Sequence, residues 1–174
     1  MNFKSISIVK LPVESVWEMM FQRLPQIASA VEEIENVKEI ERTEISILVT
    51  KVVNVWKAKP KFPGFISKHI KPEMLEWTDT ATWYENDRKI EWTITSHYLK
   101  GMENSGSTLF EPAMGGKGCR ITFAGALNLN SGAGLPDFGV LNGAMLKAAE
   151  SIMVQMIPGY FRKLTEALPL FAEH

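Results

Sequence analysis

The sequence has one cysteine, three histidines and almost no net charge. Cys119 alone cannot form an intramolecular disulfide or a thiolate metal site, so nothing points to an oxidising compartment. His69, His97 and His174 are widely spaced and fit no zinc-binding motif, and no cofactor motif is present. Because Lys plus Arg number 19 and Asp plus Glu number 20, the charge balance argues against a nucleic-acid partner. We therefore expect no metal, no cofactor and no nucleic acid.

The sequence also lacks long apolar runs and phosphate-binding loops. No stretch approaches the ~18 apolar residues of a membrane-spanning helix, and the first residues do not resemble a secretory signal, so we expect a cytoplasmic protein. The glycines at 115–118 and 132–134 lack the strand and helix context of a phosphate loop and are interpreted as turns. Without repeats or linkers, 174 residues predict a single domain over 1–174, given a typical domain of roughly 150 residues.

Large apolar side chains are abundant. Five Trp, nine Phe, three Tyr and nine Met occur in a chain that is 45% hydrophobic. Such side chains can fill a core or line a cavity, and the functional question depends on which of the two they do. Cys119 shares its strand face with Ile121 and Phe123, so we interpret it as a small buried hydrophobe rather than a nucleophile.

Apolar periodicity predicts a strand, two short helices, about six more strands and a long helix. The first strand covers 3–9, and the helices begin at Pro12 and Pro25. Residues 32–42 fit a helix or a strand, and we prefer the strand. Residues 45–56 are dense in β-branched side chains, and a hairpin turn is expected at Asn86-Asp87, with apolar and polar residues alternating on both sides of it.

The last helix is predicted over 140–168, with Met145 and Met156 on one apolar stripe and Met153 on a second. Pro158 lies within it and predicts a kink or a short break. One long helix beside an antiparallel sheet defines an α+β architecture. To hide its apolar face, a sheet of about seven strands must curve around this helix, and the space between them is the natural cavity.

The order of elements and three segments resemble the START-like, or helix-grip (SRPBCC), superfamily. The segments are 12–17, which follows the first strand, and 105–112 and 116–123, which form a pair of strands with a glycine turn. This superfamily includes birch-pollen-allergen proteins, polyketide cyclases and coenzyme Q-binding START proteins. The resemblance implies a curved sheet gripping the terminal helix around a hydrophobic cavity, but it implies no single reaction.

Three charged residues share strand faces with apolar ones: Lys51, Asp79 and Glu111. A charge on a buried face is costly unless it is paired or the space is wet. Lys51 and Asp79 would make a consistent pair, and with Tyr98 these groups would be polar anchors in an apolar pocket. The alternative is a β-bulge that turns these charges to solvent.

The aromatic residues on two neighbouring strands are too numerous to be covered densely by one helix, although part of the set is expected to be ordinary core. Methionines on the opposing helix would be adaptable walls. The predicted ligand-binding residues are Trp77, Asp79, Trp83, Trp92, Tyr98, Phe123, Met145, Met153 and Met156.

Three functions remain open on the sequence. The preferred one is binding or carriage of a hydrophobic small molecule, such as a lipid, an isoprenoid or quinone, or an aromatic polyketide. The second is a cyclase- or dehydratase-like enzyme using the same cavity, and the third is a protein-interaction module. We expect no stable membrane insertion, although an apolar loop at 62–66 among lysines would suit transient contact with an anionic membrane.

Overall fold

The computed structural model describes residues 1–59, 64, 72–97, 102–129 and 143–173. It contains one antiparallel sheet and two α-helices, together with short 3-10 turns. The elements in chain order are β1 (Asn2–Val9), α1 (Val13–Ala28), β2 (Ile34–Ser46), β3 (Val49–Ala58), β4 (Glu76–Tyr84), β5 (Lys89–Thr95), β6 (Met102–Ala113), β7 (Gly118–Leu129) and α2 (Gly143–Ala167).

The seven strands lie in the order β1-β7-β6-β5-β4-β3-β2. The sheet is curved, and its concave face carries the buried apolar residues against which both helices pack, so the α+β architecture predicted from the sequence is confirmed. The C-terminal half of α2 lies over β1 and β7, where Leu164 and Ala167 are buried. The apolar side of α1, including Val16 and Trp17, closes the other end of the concave face.

The two predicted short helices are the two segments of α1, which meet at Arg23, whose φ of −128° is not helical. Pro25 explains the break, because it has no N–H to donate to the carbonyl of Phe21 and its ring crowds that carbonyl. The freed oxygen instead accepts a 2.7 Å hydrogen bond from the guanidinium of Arg42. The second segment ends at Ala28, whereas the apolar pattern predicts a helix that runs through Val31.

The strand preferred for 32–42 is confirmed as the first part of β2, and the Asn86-Asp87 turn joins β4 to β5. The β-branched run at 45–56 is not one strand, because residues 47–48 form the turn between β2 and β3. β6 begins at Met102, whereas the sequence predicts a shorter strand over 107–111. α2 continues through Pro158. The short break that was one of the two predicted outcomes therefore does not occur.

The facing of two predicted anchors was wrong. In β3 the residues on the concave face are the even-numbered ones, because Asn54 is paired with Asp79 and Trp56 with Trp77. Lys51 therefore lies on the convex face, where its ammonium is 2.6 Å from Glu41 of β2. Glu111 is exposed on the same convex face. Neither residue pairs with Asp79.

Candidate ligand-binding site

A line of polar side chains crosses the middle of the concave face. In the strand register, Asn54 of β3 lies opposite Asp79 of β4, Asp79 lies opposite Ile94 of β5, and Ile94 lies opposite Asn104 of β6. Directly opposite residues of an antiparallel pair point to the same face of a sheet. We call Asn54, Asp79 and Asn104 the polar row.

Four side-chain atoms of the polar row are buried and have no hydrogen-bond partner within the protein. Asn54 is 3% exposed and Asn104 is 1% exposed. The side-chain oxygen of Asn54, Oδ1 of Asp79, and both the oxygen and the nitrogen of Asn104 are buried without a partner. Native proteins satisfy the large majority of such atoms, and each that remains unsatisfied costs about 1–3 kcal/mol. Three such residues in one line therefore hold hydrogen-bonding capacity that no other group of the protein uses.

Asp79 is the acidic member of this row. Although the residue as a whole is half-buried, its Oδ1 atom is fully buried. Burial raises the pKa of the Asp79 carboxyl from 3.8 to about 7. The Trp56 indole N–H is near enough to oppose part of this rise, but it does not reach hydrogen-bonding geometry. At neutral pH the carboxyl is therefore present in both its protonated and its ionised form, whereas an ordinary aspartate is almost fully ionised.

Trp92 is a buried core residue beside the polar row. Gly106 and Gly125 are opposite each other in β6 and β7, and a Cβ at either position would come within 2.6 Å of the Trp92 indole. The two glycines therefore let the ring lie against the backbone. Its plane is within 20° of Phe123 at 4.9 Å, and Phe123 stacks on Phe161 of α2 at 4.3 Å. This stack joins the sheet to the terminal helix.

Trp56 and Trp77 lie on the other side of the polar row. Their rings are stacked at 6.0 Å with an angle of 9° between them. The indole N–H groups of Trp56 and Trp92 are buried without acceptors. On α2 the Tyr160 hydroxyl is also buried without a partner, and burial raises the Tyr160 pKa to about 12. Polar atoms without partners thus occur on both the sheet and α2.

Trp83 belongs to a different environment. Its ring contacts the edges of Trp17 and Phe21 in α1 at 5.0 and 5.1 Å. With Arg88 and Glu85 it also lines a surface pocket of about 290 Å³ beside α1. This pocket does not include the polar row. Trp83 thus packs the helix α1 against the sheet.

The structure brings Asp79, Trp92 and Phe123 together on the concave face, with Trp77 at its margin. Met156 is half-buried on α2. Tyr98, the loop at 62–66 and the side chains of Met145 and Met153 lie outside the described residues, so their predicted roles stay predictions.

Asn54 and Asn104 were missed by the sequence interpretation. Asn54 shares a face of β3 with Val52 and Trp56, and assigning the even-numbered residues to the buried face would have identified it. The odd-numbered residues Val49, Val53 and Val55 were assigned to that face instead because all three are apolar. Asn104 was missed because β6 was predicted to begin after it.

Other chemistries find little support in the part of the chain that the structure describes. Within it, no three His, Cys, Asp or Glu side chains are grouped as metal ligands would be, and no helix there has the length and apolarity needed to cross a membrane. Cys119 is fully buried, and burial raises the pKa of its thiol to about 11. The interpretation of Cys119 as a buried hydrophobe is confirmed.

Solved structures share this architecture over nearly the whole chain. TTHA0849 from Thermus thermophilus superposes with a TM-score of 0.70 at 15% identity, covering 99% of this chain and 100% of that one. The Zhui aromatase/cyclase from Streptomyces sp. R1128 gives 0.68 at 15% identity, covering 96% and 93%. Ara h 8.0201 gives 0.58 at 14% identity, covering 97% of each chain. The chain has the helix-grip fold.

At these identities, the likeness establishes the helix-grip fold alone. No protein-family model matches the sequence, and a search of curated proteins finds no match. The function must therefore be argued from the residues on the concave face.

Proposed function

We propose that this helix-grip chain binds a hydrophobic small molecule between the concave face of its sheet and α2. The observation that carries the proposal is the polar row, a line of buried and unpartnered hydrogen-bonding groups within an apolar surface. Ligand sites in proteins are mostly apolar with a few placed polar groups that fix the ligand's orientation. The polar row and its aromatic surroundings have this composition.

The free-energy cost of unpartnered polar atoms also supports ligand binding at the polar row. An unsatisfied buried polar atom costs about 1–3 kcal/mol, a large fraction of the 5–15 kcal/mol by which typical domains are stable. A bound molecule that offers partners to Asn54, Asp79 and Asn104 would recover much of that cost. Stacking on the rings beside the row would add apolar contact.

A second candidate is an enzyme that uses Asp79 as a general acid or base. Its pKa of about 7 is near the value at which proton transfer is most efficient at neutral pH. The aromatase/cyclase activity named for the Zhui structure is compatible with this role. Binding is the primary proposal because it needs only the polar row, whereas catalysis also needs a substrate placed within reach of the Asp79 carboxyl.

The test is a titration with N-phenyl-1-naphthylamine, a neutral dye whose fluorescence rises in apolar surroundings. Saturable binding is expected, with energy transfer from the tryptophans, and Trp92→Leu should weaken the affinity. Trp77→Leu, at the margin of the concave face, is the matched control and should keep most of the affinity. Native mass spectrometry of the protein as purified should show a co-purified apolar molecule. No saturable binding together with no bound molecule would overturn the proposal.

A further inference from the structure

The atoms left without partners on the concave face limit the ligands that can bind there. The polar row presents three unpartnered oxygen atoms, one on each residue, and one unpartnered amide nitrogen, on Asn104. The indole groups of Trp56 and Trp92 add two N–H donors. A ligand that satisfies this set must both donate and accept hydrogen bonds. A hydroxyl group does both, a carbonyl oxygen only accepts, and a purely hydrocarbon surface does neither.

In the part of the chain that the structure describes, no unpaired positive charge lies at the polar row. In the described parts of β1 and β3 to β7, no Lys or Arg occupies a concave position in the register. On β2, Arg42 is on the concave side, but its guanidinium is paired with Glu39 at 2.8 Å and covers the ring of Phe21. The acidic group of the polar row, Asp79, lies at its centre. A carboxylate placed there would meet no described cation, and an unpaired buried charge is strongly disfavoured.

We propose that the ligand is electrically neutral, that it directs hydroxyl groups at Asn54, Asp79 and Asn104, and that this row excludes carboxylates of the same size. The inference rests on the proposed function and adds the ligand's chemical class. The polar row is thus the specificity determinant, while the aromatic rings supply contact area. Fatty acids and other apolar anions are accordingly the ligands that the site rejects.

The test uses two matched sets of probes, one planar and one flexible, at about pH 6, where the aromatic and aliphatic carboxylates are ionised. The planar set is 9-anthracenemethanol, anthracene-9-carboxylate and anthracene, followed by energy transfer from tryptophan. The flexible set is 1-dodecanol and dodecanoate, followed by displacement of N-phenyl-1-naphthylamine. In each set the alcohol should bind at least about tenfold more tightly than the carboxylate, which corresponds to about 1.4 kcal/mol.

The variant Asn104→Leu tests whether the polar row causes the preference for the alcohol. This variant should lower the advantage of 9-anthracenemethanol over anthracene by about fivefold, the value of one typical hydrogen bond. Asn128→Leu, at an exposed position on the neighbouring strand β7, is the matched control and should leave the ratio unchanged. The chain should still fold, because Asn104→Leu replaces two unpartnered polar atoms with apolar ones of similar volume.

The outcomes separate the two proposals. Carboxylates that bind as tightly as the alcohols, or an alcohol preference that survives Asn104→Leu, would overturn the neutral-ligand inference and leave the binding function intact. If neither probe set nor the dye binds, both proposals fail.

Discussion

Asp79 should make the stability of this chain fall as pH rises, and Asp79→Asn should remove that dependence. In the folded state, burial raises the carboxyl pKa from 3.8 to about 7, whereas in the unfolded chain the group keeps its ordinary value. Below about pH 4 the carboxyl is protonated in both states and adds no pH-dependent penalty. Between about pH 4 and pH 7 only the unfolded state releases its proton, so folding loses free energy steadily.

The size of the effect follows from the same values. At about 1.4 kcal/mol per pKa unit, a folded-state pKa of about 7 in place of 3.8 corresponds to a loss of about 4 kcal/mol, complete above pH 7. This is an upper value, because a bound molecule that offers the Asp79 carboxyl a partner would reduce it. It is comparable with the whole stability of a marginal domain, so it is within reach of an equilibrium measurement.

The assay is urea unfolding of the wild-type chain and Asp79→Asn at about pH 5 and about pH 8.5, with the free energy of unfolding extrapolated to water. Asparagine has nearly the shape of aspartate but no charge, so the variant should gain about 3 kcal/mol over wild type on going from the lower to the higher pH, since part of the loss has already occurred by pH 5. Asp87→Asn, in the exposed β4–β5 turn, is the control and should track wild type. If the difference between Asp79→Asn and wild type is the same at both pH values, the carboxyl is not buried as described, and the reasoning is refuted.

Three further predictions concern packing and surface charge. Gly106→Ala should destabilise the chain by about 1–3 kcal/mol or more in urea unfolding. The added Cβ would lie 2.5 Å from the Trp92 ring and closer still to a backbone carbonyl. An unchanged unfolding midpoint would contradict the placement of the Trp92 ring against the backbone. Gly159→Ala in α2 has open space and should stabilise by up to about 1 kcal/mol in the same measurement, whereas a loss would indicate a contact at that helix position. Lys51→Met removes an exposed ion pair with Glu41 and should cost no more than about 1 kcal/mol while leaving dye affinity unchanged; weaker binding would restore Lys51 as a ligand anchor.

The architecture was predictable because its signals are local and repeated. Alternation along β4 and β5 placed Trp77, Asp79 and Trp92 on one face, and the register confirms this. The order of strands and helices then left few arrangements that bury the apolar face. The sequence alone thus predicts a helix-grip architecture.

The details of the site were less accessible, for physical reasons. Every residue of β3 from Val52 to Asn54 is buried, so alternation does not separate its two faces. A bulge in β2 between Glu39 and Glu41 further shifts the phase of the neighbouring edge strand, and no local sequence signal marks it. The polar row itself depends on register across four strands, which a linear pattern does not encode.

The packing of the aromatic residues also depends on tertiary context. Trp83 and Trp92 lie on the same face in the sequence pattern, but one packs against α1 and the other lies on a pair of glycines. Many of the aromatic side chains therefore belong to the core. The proposed function thus rests on the polar row and not on the number of aromatic rings.

The measurement that tests the central claim most directly is the side-chain amide NMR spectrum of the 15N-labelled protein during titration with 9-anthracenemethanol. The account predicts that the amide resonances of Asn54 and Asn104 shift and saturate together, while those of the exposed Asn36 and Asn128 do not move. Saturable binding that moves only exposed asparagines, or no shift at Asn54 and Asn104, would contradict it.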